Sequence, residues 1–210
     1  MSLAFLSPSP TAICRSPMER QARAAGASFE ERDGWNVAVR FDGEEAERER
    51  LRSTVGFADM SHLGKVEVQG PQAGRLRLGT AELEDGVWWC PYTAQRAIAL
   101  CLPADLRALR ERLDDPVDVT TSFAALAIGG PLARELFARF TALDLRDAVT
   151  PVHGFRPGSV ARTPGAVLRQ SEQRWLMLFG AALGQYVWTV VADAAESLGG
   201  GPVGVDSLDA

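Results

Sequence analysis

The sequence has few of the residues that build disulfides, metal sites and nucleophilic sites. Its 210 residues include two histidines and three cysteines, and the cysteines Cys14, Cys90 and Cys101 form no C-x-x-C pair. An odd number of scattered cysteines argues against a disulfide framework or a structural zinc site. Free thiols are typical of a reducing compartment. We therefore expect a cytoplasmic protein without a metal site.

Long apolar runs and a strong charge of one sign are also missing. No segment approaches the roughly 18 apolar residues of a membrane span. Residues 1–10 lack the basic start of a signal peptide. The net charge of −5 comes without the basic stripe of nucleic-acid binders. The sequence thus predicts no membrane or nucleic-acid partner, and an N-terminal arm over residues 1–15.

A strand–turn–helix pattern occurs twice, sixty residues apart. Residues 65–69 alternate as a strand and lead into Gly70-Pro71, and residues 125–128 lead into Gly130-Pro131. Proline suits the first turn of a helix because it needs no N–H partner there. The apolar residues that follow predict the inner faces of two helices. In the first helix these are Ala73, Leu76 and Leu78.

A second pair of strands extends this correspondence. Residues 98–102 and 175–179 are apolar, and each run precedes an amphipathic helical segment. Residues 150–172 are rich in proline and glycine, which predicts loops and short strands. We expect an α+β fold in one domain, residues 16–210. It would consist of two pseudo-repeated halves at about 58–118 and 119–208.

Other segments are predicted by local patterns. Residues 35–41 alternate as a half-buried strand. Residues 44–52 carry mixed charges at helical spacing, typical of a solvated helix face. The G-x-G-x-x-G match at Gly199, Gly201 and Gly204 lacks the strand and helix that a dinucleotide site needs. A helix C-terminal cap is the better interpretation.

Several polar and aromatic residues remain as site candidates beside structural interpretations. Asp59 is placed to cap a turn through its side chain. For His62 and His153 a structural or exposed role is favoured. Trp88 and Trp89 are adjacent, so on a strand their rings face opposite sides. The two later cysteines favour core positions.

Longer motifs resemble the glycine-cleavage T-protein (aminomethyltransferase) family. The resemblance begins at Ser16-Pro17-Met18 and Gly34-Trp35-Asn36 and includes the stretch 52–66 with Asp59-Met60-Ser61-His62. It continues through both Gly-Pro turns to Gly204-Val205-Asp206-Ser207-Leu208. It implies the folate-binding fold of two related α+β halves. The C-terminal β-barrel of T-proteins would be absent from this chain.

The chain departs from that family at the positions of two functional carboxylates. T-proteins carry a catalytic acid in the first half, where this chain reads Gly86-Val87-Trp88-Trp89-Cys90. In the second half, the glutamate that holds the pterin ring is missing after Arg162-Thr163-Pro164-Gly165, unless Glu172 replaces it. The resemblance thus implies no catalytic residue and only weak tetrahydrofolate binding. The candidate cleft-lining residues are Asp59, Ser61, His62, Trp88, Trp89, Tyr92, Arg162 and Glu172.

The length and the missing acids resemble the γ subunit of heterotetrameric sarcosine oxidase. This resemblance implies a non-catalytic accessory subunit beside flavin-dependent amine oxidase subunits, in one-carbon and N-methyl amine metabolism. A first alternative is an active tetrahydrofolate-dependent aminomethyltransferase or methyltransferase, with Glu84, Asp85 or Glu172 as substitute acids. A second is a stand-alone folate-fold protein with a non-enzymatic role. The motif of the iron–sulfur maintenance relatives is missing.

Overall fold

The computed structural model describes residues 13–208, which form a mixed α+β fold of three sheets and six helices. The strands are β1 (Cys14–Arg15), β2 (Ser28–Arg32), β3 (Trp35–Arg40), β4 (Gly56–Asp59), β5 (Gly64–Gln69), β6 (Glu82–Glu84), β7 (Val87–Thr93), β8 (Arg96–Cys101), β9 (Val117–Asp118), β10 (Phe123–Gly129), β11 (Phe155–Val160), β12 (Thr163–Arg169), β13 (Arg174–Gly180) and β14 (Gly201–Pro202). The helices are α1 (Glu19–Ala24), α2 (Glu44–Ser53), α3 (Pro71–Gly74), α4 (Leu106–Glu111), α5 (Ala133–Phe137) and α6 (Gly184–Glu196). The α+β class expected from the sequence is confirmed.

The two larger sheets share one strand order. The five-stranded sheet runs β6-β7-β8-β5-β9, and the six-stranded sheet runs β11-β12-β13-β10-β4-β14. The shared part is a run of four strands, β6-β7-β8-β5 in one sheet and β11-β12-β13-β10 in the other. The small third sheet has the order β1-β3-β2. This order supports the internal duplication, which stays a prediction, as do its boundaries.

Both large sheets pack face to face through an apolar interface. Alternate residues of β10 and β13 point into it, including Ala125, Ala127, Leu176 and Leu178. The other residues of these strands face the opposite side. Successive strand residues alternate between faces, so an apolar run is buried on both sides.

Helices cover the outer face of each large sheet. Helices α1, α5 and α6 pack on the six-stranded sheet, with Trp188 of α6 against Phe57 of β4 at 5.0 Å between ring centroids. Helices α3 and α4 cover the five-stranded sheet through Ala73 and Leu109. The result is a four-layer arrangement, helix–sheet–sheet–helix, that buries both faces of each large sheet.

Two expectations about side-chain burial were wrong. Helix α2 forms where expected, but Glu47 in its charged run is fully buried. It accepts hydrogen bonds from the Gly204 nitrogen and the Ser207 hydroxyl, at 2.7 and 2.6 Å. Leu78 lies beyond the short α3 and is exposed, whereas Ala73 and Leu76 are buried. The sequence showed neither the partner segment of Glu47 nor the early end of α3.

The chain ends were predicted with mixed results. Most of the expected N-terminal arm lies outside the described residues, and Cys14 and Arg15 form β1 beside β3. After α6, Gly199 has φ +73° and the Gly200 nitrogen donates to the Ala195 oxygen at 2.9 Å. This is the expected helix C-terminal cap. Within residues 13–208, no helix combines the length and apolarity needed to cross a membrane.

Candidate functional site

A buried polar cluster lies at the loop between β4 and β5. Asp59 and Ser61 are nearly inaccessible, and the Ser61 nitrogen donates to Asp59 Oδ1 at 2.9 Å. This is the turn-capping arrangement that the sequence predicts for Asp59. Burial raises the pKa of the Asp59 carboxyl, although the hydroxyls of Ser16 and Ser61 bond to it.

Lys65 is the cation of this cluster and is fully buried. Its Nζ donates to the backbone oxygens of Ser61, Leu63 and Thr120 at 2.9, 2.7 and 3.4 Å. Burial lowers the pKa of Lys65 to about 8, while the nearby Asp59 carboxylate opposes that shift. Three carbonyl oxygens accept hydrogen bonds from the ammonium group, so the polar groups of this cluster satisfy one another inside the protein.

Ser61 also bonds to β10, and His62 follows it in the same loop. Desolvation lowers the pKa of the half-buried His62 to about 4, with Lys65 and Arg32 as further causes. Ser61 Oγ accepts a long hydrogen bond of 3.3 Å from the Ala125 nitrogen on β10. This hydrogen bond links the β4–β5 loop to β10.

Trp88 and Tyr92 belong to a different place, the interface between the two large sheets. Both lie on the inner face of β7 with Cys90. The Trp88 ring contacts His153 at 5.0 Å between centroids, and the Tyr92 ring contacts Phe155 at 5.5 Å. Burial raises the pKa of both Cys90 and Tyr92. This part of the interface is therefore neutral and apolar.

Trp89 faces away from that interface, on the outer side of β7. It packs in the cluster under α3 and α4, with the Arg75 guanidinium 5.3 Å from its ring centroid. It lines a cavity of about 260 Å³ together with Glu84 and Asp85. Those acids are exposed and pair with Arg75 and Arg112 at 3.0 and 3.9 Å. Trp89 is thus separated from Trp88 and Tyr92.

Arg162 and Glu172 lie at opposite ends of β12. Arg162 is exposed in the tight Ala161-Arg162 turn, where both residues have positive φ. Glu172 is exposed in the next turn. The seven residues of β12 separate these turns by about 20 Å at roughly 3.3 Å per residue. The eight candidates therefore occupy five separate places.

Glu172 lines a cavity of about 480 Å³ next to the Gly130-Pro131 turn. Its wall includes the buried Arg169, whose Nη1 donates to Asp147 Oδ1 and to the Thr150 oxygen at 2.5 and 2.9 Å. Sequence analysis missed Arg169. The available signal was an arginine that directly follows the apolar residues 166–168.

The acid–base and ligand-binding chemistry of these five places depends on the buried carboxylates. Within residues 13–208 they are Glu19, Glu47 and Asp59. Glu19 is paired with Arg15 and Arg23 at 2.5 and 2.9 Å. The other two accept the hydrogen bonds described above. A pterin ring presents paired N–H donors that need a carboxylate. Each buried carboxylate of the described residues therefore has a partner already, although Glu19 Oε2 itself accepts no hydrogen bond.

Metal ligands are likewise dispersed. In the described part of the chain, no group of three or more His, Cys, Asp and Glu side chains is arranged to hold a metal ion. Cys14 is exposed, and the other two cysteines are buried and free. Burial raises the pKa of Cys101 to about 11.

Known proteins resemble this chain in sequence. The GCVT N-terminal domain family matches residues 18–87. A probable aminomethyltransferase of Halobacterium salinarum is 33% identical, over 59% of this chain and 44% of its own length. The aminomethyltransferase of Streptomyces coelicolor is 28% identical, over 96% of this chain and 62% of its own length. The chain thus spans about two fifths to three fifths of the length of these relatives.

Solved structures share the fold. The glycine cleavage system aminomethyltransferase T of Bartonella henselae has a TM-score of 0.76 and 16% identity, over 94% of this chain and 61% of that one. A chain of the heterotetrameric sarcosine oxidase of Corynebacterium sp. U-96 has a TM-score of 0.66 and 17% identity, over 88% of this chain and 96% of that one. Together these findings show that the chain is related in sequence to aminomethyltransferases and shares its fold with a T-protein and with a sarcosine oxidase chain.

Proposed function

We propose that this protein is a non-catalytic T-protein-like subunit that assembles with flavin-dependent amine oxidase subunits in N-methyl amine and one-carbon metabolism. One observation carries the proposal: the interface between the two large sheets is filled by apolar side chains. The three buried carboxylates of the described residues all have other partners.

The chemistry of β7 supports this proposal. By resemblance to T-proteins, the catalytic acid falls in residues 88–90. Trp88 and Cys90 face the second sheet there, and Trp89 faces α3 and α4. An indole cannot exchange the proton that folate chemistry needs, and burial keeps the Cys90 thiol protonated by raising its pKa. General acid–base catalysis therefore lacks a suitable group at this position.

The shared fold gives further support. The matched chain of the heterotetrameric sarcosine oxidase has a TM-score of 0.66 to this chain at 17% identity. We base the accessory role in a hetero-oligomer on this fold. In this proposal a partner subunit, and not this chain, carries the flavin and performs the oxidation.

Co-expression tests the assembly. We expect the full chain, produced with the flavin-dependent amine oxidase subunits of its own organism, to co-elute with flavin absorbance at a fixed ratio. The co-eluting complex should consume oxygen with an N-methyl amine as substrate. Elution of the chain alone, apart from an active flavoprotein, would contradict the proposal. It would favour the stand-alone folate-fold protein with a non-enzymatic role.

An active tetrahydrofolate-dependent aminomethyltransferase or methyltransferase is the alternative that the sequence relatives favour. Its acid would come from Glu84, Asp85 or Glu172, which are all exposed. Calorimetry with tetrahydrofolate discriminates, because this alternative requires saturable heat that Glu172→Gln or Asp85→Asn removes. Absence of heat with tetrahydrofolate leaves the accessory role in place.

A further inference from the structure

A second cavity beside the Gly129-Gly130 turn is lined by three arginines. It has a volume of about 530 Å³, in the range of small-molecule sites. Arg48 and Arg52 come from α2, and Arg174 comes from the start of β13. No acidic residue is among the described residues that line it, although the chain has 27 acids and 22 basic residues. We propose that this cavity binds a small anion with two or more charges, carried on phosphate or carboxylate groups.

The positions of the arginines follow from the fold. Arg48 and Arg52 are four residues apart on α2 and therefore lie on one helix face, a turn apart. Arg174 is paired with Gly129 across the β10–β13 ladder. Guanidinium groups thus approach one volume from a helix and from a sheet. The planar guanidinium matches the two oxygens of a carboxylate or phosphate.

Hydrogen bonds hold the walls of the cavity. Ser207 lines the cavity, and its hydroxyl donates to the buried Glu47 at 2.6 Å. Arg174 Nη1 donates to the Leu208 oxygen at 3.0 Å. The Gly130 nitrogen donates to the oxygen of Gln173 at 3.0 Å. A cavity whose walls are held this way is organised before a ligand arrives.

Arg48 and Arg52 have carboxylate partners that a ligand can replace. Arg48 pairs with Glu44 at 2.5 Å, and Arg52 pairs with Glu49. All four side chains are about half exposed or more. Exposed ion pairs of this kind contribute little to stability. A multiply charged anion between both arginines gains contacts that separate glutamates cannot provide together.

Titration calorimetry of the full chain with inorganic phosphate and with citrate tests this proposal, with sodium chloride at matched ionic strength as reference. We expect saturable binding of at least one of the two anions. Binding of phosphate would assign phosphate groups to the ligand, and binding of citrate would assign carboxylate groups. Arg48→Gln with Arg52→Gln should weaken it by about tenfold or more, because two charge-assisted contacts are lost. Both side chains are exposed, so an unchanged melting temperature verifies folding.

Arg107→Gln with Arg110→Gln is the matched control. These two arginines lie on α4 and line another cavity, which also contains Glu111. The control should change the affinity by less than about twofold, because it removes the same charge elsewhere. Changes in the NMR chemical shifts of backbone amides on anion binding should occur at residues around the cavity, namely Gly129, Gly130 and Ser171. Absence of saturable binding, or equal weakening by both double variants, would overturn the proposal.

Discussion

Glu47 is the buried anchor of the chain segment that follows α6. Its carboxylate accepts bonds from the nitrogens of Phe41, Asp42 and Gly204 and from the Ser207 hydroxyl. We expect Glu47→Ala to lower the free energy of unfolding by about 2–5 kcal/mol, because four donors lose their acceptor. Urea unfolding followed by circular dichroism measures this difference.

Glu45 on the same helix supplies the control for that experiment. It is exposed, so Glu45→Ala should change the free energy of unfolding by no more than about 0.5 kcal/mol. Similar losses in both variants would show that the charge of α2 matters rather than the buried contacts of Glu47.

Lys65 predicts a pH dependence of stability. Its pKa falls from an ordinary value of 10.5 to about 8 in the folded protein. Between these values the unfolded chain holds a proton that the folded chain has released, so stability rises with pH across this window. The contribution is complete above pH 10.5 and is lost as the pH falls through about 8. Its size is about 3 kcal/mol, at roughly 1.4 kcal/mol for each tenfold change in proton affinity.

Comparison with Lys65→Met isolates this contribution. The difference in free energy of unfolding between the native chain and the variant should shift in favour of the native chain from pH 8 to pH 10. Titrating groups that do not interact with Lys65 cancel in that difference. A difference that stays constant with pH would mean that Lys65 remains charged in the folded state.

At the scale of elements, the two Gly-Pro turns differ in what surrounds them. Both glycines have positive φ, +66° at Gly70 and +114° at Gly130. A Cβ on Gly70 would meet nothing within 4 Å, whereas one on Gly130 would lie 2.5 Å from the Thr54 oxygen. The second turn is pressed against the end of α2, and the first is open.

Alanine substitutions should separate the two turns. Gly70→Ala should cost about 1 kcal/mol from backbone strain alone. Gly130→Ala should cost roughly 3 kcal/mol or more, because the backbone of Thr54 must also move. Thermal unfolding of both variants gives the comparison. Equal losses would show that the neighbouring α2 end does not constrain the second turn.

Residues 59–65 show how far local pattern determines an element. Asp59 was predicted to cap its turn, and its carboxylate does so through the Ser61 nitrogen. The contact requires only residues two apart in sequence, so it is readable locally. The burial of Lys65 was not predicted, because the Thr120 oxygen that it contacts comes from a distant part of the chain.

At the scale of the whole molecule, the apolar interface makes the two large sheets one cooperative unit. We expect circular dichroism and tryptophan fluorescence to report a single coincident unfolding transition. Trp89 lies on the outer face of one sheet and Trp175 on the outer face of the other, so fluorescence reports on both. Two separate transitions would show that the two sheets unfold independently.

Leu178 tests the interface itself. It is buried between the sheets, and Leu178→Ala should lower the free energy of unfolding by about 2–5 kcal/mol through the cavity it leaves. Leu83 is 52% exposed, so Leu83→Ala should cost less than about 1 kcal/mol. Urea denaturation of both variants decides. A small loss at Leu178 would contradict tight packing between the sheets.

The sequence by itself determined the α+β class, five of the strands (β3, β5, β8, β10 and β13), the Gly-Pro turns and the opposite facing of Trp88 and Trp89. These features depend on periodicity and on residues close along the chain. Tertiary structure decided which tryptophan lies between the sheets, that Glu47 is buried, and that three arginines share a cavity. Each of those outcomes depends on which distant segment packs against a given face. Local periodicity does not specify that segment.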